Sequence, residues 1–127
     1  MVDLNVLFQT ADWKKEKHTP VIEIEKGDKQ IKIKLMVGKE IPHPNTTAHH
    51  ILWIDCYFLP DGEKFPYQIG KAEFYAHGAS VEGADSSTLS TKPAASFVLN
   101  TEKSGIIIAT SYCNIHGLWR NSLEVKL

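Results

Sequence analysis

Apolar and polar residues alternate through Val21-Ile22-Glu23-Ile24-Glu25 and again through Ile31, Ile33, Leu35 and Val37, the period-2 pattern of strands with one buried face. Gly27-Asp28 between them reads as the turn of a hairpin. A third strand is expected over about His50 to Leu59, stopped by Pro60-Asp61-Gly62, where proline fixes φ and glycine accepts a positive one. An aromatic-rich run from about Pro66 to His77 reads as the fourth. After the small, polar stretch Gly78 to Pro93, strands are expected at about Ala95 to Asn100, Gly105 to Tyr112 and Ser122 to Leu127. No segment holds a capped 3.6-residue period, although Leu4 to Thr10 reads as a short turn or helix ahead of Trp13. The pattern predicts an all-β chain: an immunoglobulin-like antiparallel β-sandwich of about seven strands with a short N-terminal turn or helix. Residues 1–127 form one domain in this reading, and Gly83 to Lys92 is a solvated connection without a role of its own.

Charge narrows the partners. With 14 Lys+Arg against 15 Asp+Glu the formal net charge is −1, so no basic field draws nucleic acid or an anionic membrane. No apolar run approaches the roughly 18 residues of a membrane helix, and the N-terminus lacks the apolar core of a secretory signal. A cytoplasmic protein is expected. The two cysteines, Cys56 and Cys113, cannot form a four-cysteine metal site. Cys56 sits in mid-strand and reads as a buried small hydrophobe. The feature above background is histidine, six in 127 residues, which directs attention to metal chemistry.

Candidate chemistry falls in three segments, all in turns or at strand ends. Glu16-Lys17-His18-Thr19-Pro20 sets a carboxylate, an ammonium and an imidazole side by side, with Pro20 restricting Thr19 to extended backbone. In Ile41-Pro42-His43-Pro44-Asn45-Thr46-Thr47-Ala48-His49-His50, prolines stiffen the chain around His43, and His43 and His49 can converge across the reversal. In Ser111-Tyr112-Cys113-Asn114-Ile115-His116-Gly117-Leu118-Trp119 the Cys-x2-His pair joins a soft thiolate to an imidazole, a combination that selects iron, copper or zinc. His18, His43, His49, His116 and Cys113 around one ion would leave an octahedral position open, which suits iron better than the closed four-coordinate sites of structural zinc. His50 and His77 remain outside this set as structural residues, and Trp53 and Trp119 read as packing or interface residues.

Together these segments resemble the signature segments of the superoxide reductase family, specifically its one-iron, neelaredoxin type. The likeness runs from Trp13 to Trp119. The extra N-terminal four-cysteine iron domain of desulfoferrodoxins has no counterpart in this chain. The resemblance implies a mononuclear non-haem iron, Fe(II)/Fe(III), with equatorial His18, His43, His49 and His116 and axial Cys113. It also implies that Glu16 ligates the ferric form and that Lys17 lies beside the open face. The implied activity is the one-electron reduction of superoxide to hydrogen peroxide, with Lys17 drawing in the anion and organising proton delivery. Rubredoxin or a similar small iron protein is the implied electron donor, and a homo-oligomer, a tetramer above a dimer, the implied assembly. A blue-copper-like electron carrier is the alternative. It lacks a methionine after the second histidine, since the methionines are Met1 and Met36, and it leaves His18 and His43 unused. A zinc-stabilised binding module accounts for neither a fifth ligand nor Glu16-Lys17.

Overall fold

The computed structural model describes all residues, Met1–Leu127. Its strands are β1 (Val21–Gly27), β2 (Gln30–Met36), β3 (Ile51–Pro60), β4 (Tyr67–Glu73), β5 (Ala94–Asn100), β6 (Gly105–Cys113) and β7 (Gly117–Val125), preceded by a 3-10 turn at Leu4–Val6. They form a three-stranded sheet in the order β1-β2-β5 and a four-stranded sheet in the order β4-β3-β6-β7, with every pairing antiparallel. The expected seven-stranded all-β sandwich is what the chain builds.

The alternation read from β2 is carried into the fold without change. Ile31, Ile33 and Leu35 are buried while Lys32 and Lys34 between them are exposed. Their partners across the sandwich are Ile54, Cys56 and Phe58 of β3, Ile107 and Ala109 of β6, and Val125 of β7, all in one buried cluster. Cys56 is sealed within it, and burial pushes its thiol pKa up to about 12, so it behaves as the small hydrophobe expected. Both cysteines are free.

Three strand boundaries differ from the expectation. The third strand starts at Ile51 rather than His50, because the preceding residues close a tight turn, with the Thr46 N–H donating to the His49 carbonyl at 2.9 Å. A register shift follows between Ile51 and Trp53, so strict alternation does not hold at the strand's first residues. The fourth strand ends at Glu73; Phe74 still donates its N–H to the Leu52 carbonyl at 2.8 Å, but beyond it Ala76 accepts from the Thr91 N–H and His77 pairs with Ser90 instead of β3. The last strand starts at Gly117, five residues before Ser122, because β6 and β7 form one hairpin in which Cys113 pairs with Gly117. That hairpin turns on Asn114-Ile115-His116 and closes through Gly117 at φ 78, the three-residue connection with a left-handed glycine.

Candidate metal centre

The starts of β1 and β3 and the β6–β7 hairpin lie at one end of the sandwich, since Ile51 pairs with Cys113 and Cys113 with Gly117. The three segments named from sequence therefore meet there. His18 Nε2 lies 3.1 Å from His116 Nδ1. Cys113 Sγ lies 3.5 Å from His43 Nε2 and 3.8 Å from His116 Nδ1. One donor atom from each of His18, His43, His49 and Cys113 falls within 4.8 Å of all the others, and the His49 and His116 rings are 5.1 Å apart between centroids. Metal bonds of about 2.0–2.3 Å to nitrogen and sulfur require donor separations of this size. All five expected ligands are thus brought together, though they stand up to 98 residues apart in sequence.

Local bonds decide which nitrogen each ring presents. The Glu16 carboxylate sits against His18 Nδ1 and leaves Nε2 facing the cluster. His43 Nδ1 is held by the Pro44 carbonyl at 2.6 Å, which turns Nε2 toward the sulfur. Such bonds on the far nitrogen fix tautomer and ring orientation in metal sites. Gly38, at φ 87, lets the chain pass so close that an added Cβ would stand 2.6 Å from the His43 backbone nitrogen. His49 Nε2 is buried with no hydrogen-bond partner in the protein. An orphaned buried nitrogen costs about 1–3 kcal/mol, and a metal ion accepting its lone pair removes that cost. Burial, helped by neighbouring imidazoles and Lys17, lowers the His43 pKa to about 4 and lowers that of His49 as well. Both are neutral donors at physiological pH, as ligation requires. The donor set fits a borderline metal such as iron.

The position of the Cys113 sulfur is shaped by the hairpin: the His116 N–H points at Sγ over 3.4 Å. Trp119, read from sequence as a packing or interface residue, lies flat on His18 with centroids 4.8 Å apart at 13° and donates Nε1–H to the His116 carbonyl at 3.2 Å. It steadies two of the converging residues at once. Nothing in the local sequence marks this role, because it depends on β7 running beside the segment that leads into β1.

Glu16 lies on the Nδ1 side of His18, apart from the five converging donors. It accepts the backbone N–H groups of His18 at 2.5 Å and Thr19 at 2.9 Å. Burial works against its charge, but these bonds and His18 outweigh that and leave its pKa below the ordinary carboxylate value. Lys17 is half-buried and forms no ion pair. His50 and His77 stay outside the cluster, stacked on each other at 3.6 Å and 5°. The Gly83–Lys92 connection does have a part: Asp85 accepts the Thr47 N–H at 2.8 Å, and the Thr91 carbonyl accepts from Asn45 Nδ2 at 2.8 Å. Both bonds brace the turn that carries His43 and His49. The copper alternative leaves His18 and His43 idle, whereas both stand in the cluster.

Comparison with known proteins agrees with this geometry. The family model described as desulfoferrodoxin matches residues 10–122. The superoxide reductase of Pyrococcus furiosus is 57% identical over 119 residues, covering 94% of this chain and 96% of that protein. The neelaredoxin of Megalodesulfovibrio gigas is 48% identical over 124 residues, with 95% of each chain covered. The solved structure of superoxide reductase (neelaredoxin) from Archaeoglobus fulgidus in the reduced form superposes with a TM-score of 0.91 at 58% identity, over 95% of this chain and 99% of that one. A matching family model over most of the chain, near-full-length relatives and a shared fold lead to one conclusion: the chain belongs to the desulfoferrodoxin family, among its superoxide reductases of the neelaredoxin type.

Proposed function

We propose that the protein is a superoxide reductase, carrying out O2•− + e− + 2H+ → H2O2 at a mononuclear iron. The observation that carries this reading is the convergence of four imidazoles and one cysteine sulfur, with His49 Nε2 buried and unpartnered among them. His18, His43 and His49 would hold the metal through Nε2, His116 through Nδ1 and Cys113 through Sγ. Iron bound there supplies the single electron that superoxide accepts, cycling between ferrous and ferric. The test is iron content per chain by elemental analysis, followed by stopped-flow superoxide consumption. About one iron per chain with fast consumption is expected, and copper or zinc at full occupancy without superoxide reduction overturns the reading.

Lys17 has the chemistry for two tasks beside this centre. Its unpaired ammonium contributes to the lowered pKa of both His43 and His49, so its field reaches the ligand cluster. A positive charge there attracts a small anion and raises its encounter rate in a salt-dependent way. The ammonium also holds a proton at Nζ that can be passed to the departing product, directly or through water. Lys17→Ala should lower the bimolecular rate with superoxide roughly tenfold and flatten its dependence on ionic strength. An unchanged rate and salt slope would remove the steering role.

Glu16 would join the holding residues in the oxidised form, a carboxylate suiting the harder ferric ion. To do so it must release His18 and Thr19, whose N–H groups it now accepts. Glu16→Ala should therefore leave the rate with superoxide near its original value while shifting the visible absorption of the oxidised protein. A spectrum that does not move leaves Glu16 as the orienting partner of His18 alone.

The wider setting follows from the same family reading. Residues 1–127 act as one iron-binding unit in the cytoplasm, receiving electrons from a rubredoxin-like donor and assembled as a homo-oligomer, a tetramer above a dimer. A supporting feature for the assembly is the set of exposed apolar side chains, among them Phe65, Val98 and Ile115, which suit protein contacts. Sedimentation of the purified chain reads the assembly directly, and a monomer at micromolar concentration rules it out.

A further inference from the structure

Asn114 follows Cys113 immediately and sits at the first position of the β6–β7 turn. Its side-chain oxygen accepts the His50 N–H at 2.9 Å, and its side-chain Nδ2 donates to the Ala48 carbonyl at 2.9 Å. These are the two peptide groups on either side of His49. A third bond runs from the Asn114 backbone N–H to the His50 carbonyl at 3.2 Å. One primary amide thus grips the backbone across His49 in two directions, which only a side chain carrying both a donor and an acceptor can do. Other bonds of the turn holding His49 are internal, the Thr46 N–H donating to the His49 carbonyl and the His49 N–H to Thr46 Oγ1 at 3.1 Å, or run to the Gly83–Lys92 connection through Asp85 and Thr91. Those bonds shape the turn but do not tie it to the hairpin that carries the sulfur.

We propose that Asn114 is a positioning residue that fixes the His49 imidazole relative to the Cys113 sulfur, by clamping the peptide groups flanking His49 onto the residue next to Cys113. The inference rests on the reading that His49 and Cys113 hold the same iron. The length of the side chain matters: glutamine would push the amide outward by one methylene, and aspartate would keep the acceptor for the His50 N–H but set an oxygen against the Ala48 carbonyl. Because Asn114 is exposed, its replacement leaves the buried core untouched. Its effect should appear in the metal site rather than in folding.

The test is ferrous iron affinity, measured by competition with a chromophoric chelator on wild type, Asn114→Ala, Asn114→Asp, His49→Ala and the Asn114→Ala/His49→Ala double variant. Asn114→Ala should weaken iron binding about tenfold, the scale at which residues supporting metal ligands act, and should shift the sulfur charge-transfer absorption of the oxidised protein. The metal-free melting temperature should move by no more than a few degrees. Asn114→Asp should fall between wild type and Asn114→Ala, and it provides the same reading if the alanine variant does not fold. In the His49→Ala background the Asn114→Ala step should cost less than about twofold, because residues acting through one another are not additive. Equal iron affinity in wild type and Asn114→Ala overturns the inference, as does an undiminished tenfold loss in the absence of the His49 imidazole. If wild type itself binds no iron, the iron reading fails and this inference fails with it; if wild type binds and the variants bind equally, only the inference fails.

Discussion

Replacing Cys113 by serine should lower the rate of superoxide reduction by on the order of 10²-fold or more, since even residues that merely support ligands cost 10–100-fold when lost. The sulfur is the one soft donor in the cluster, set between His43 Nε2 at 3.5 Å and His116 Nδ1 at 3.8 Å. A serine hydroxyl in its place stays protonated at neutral pH and donates far less electron density to a metal. The four imidazoles can still retain iron, so the loss should appear in rate and spectrum before it appears in metal content. The oxidised variant should lack sulfur-to-metal charge-transfer absorption altogether. Cys113 is also fully buried, so the metal-free melting temperature of the variant has to be measured alongside. A variant that keeps both the band and the rate would place the sulfur outside the centre.

The second large effect is on stability and lies in the other sheet. Ile33 is fully buried in the middle of β2, within the same cluster as Ile54, Ile107 and Val125 of the facing sheet. Ile33→Ala removes methyl and methylene groups from a close-packed interior and leaves a cavity, at a cost of about 3–4 kcal/mol. For a chain of 127 residues that corresponds to a fall in melting temperature of roughly 10–15 °C. The comparison belongs to metal-free protein, because ligand binding adds its own stabilisation to the folded state. Iron affinity should be nearly unchanged, as all five donors come from loops and the β6 end rather than from β2. A loss below about 1 kcal/mol would mean that the two sheets do not depend on this contact.

Much of the fold is legible along the chain because strand burial has a period of two that sequence displays directly. Ile31, Ile33 and Leu35 face inward and Lys32 and Lys34 outward in both readings. Where the pattern misleads, a local interaction has displaced it. The bulge at the start of β3 breaks the alternation, and the left-handed Gly117 allows β7 to begin directly after a three-residue turn, where Leu118-Trp119-Arg120 shows no alternation to announce it. The histidines and the cysteine were legible for a different reason: their residue types are rare, and three short segments concentrate them.

The supporting residues were not legible. Trp119 lies on His18, Asn114 holds the peptides around His49, and Asp85 holds Thr47. Tryptophan, asparagine and aspartate occur commonly in turns and strands, and nothing in their spacing distinguishes a brace from a bystander. Glu16 was singled out from sequence, but its hold on the His18 and Thr19 N–H groups was not, because it depends on a turn that sequence does not specify.

The sequence by itself therefore determined the all-β class, most of the buried faces and the inventory of candidate metal donors, because each follows from residue type and local periodicity. The tertiary structure decided which nitrogen of each imidazole faces inward and left His49 Nε2 without a protein partner. It also decided which neutral side chains hold the donors at ion-binding distance. Those properties arise from contacts between segments up to 98 residues apart, and they exist only once strand pairing has brought the three loops to one end of the sandwich.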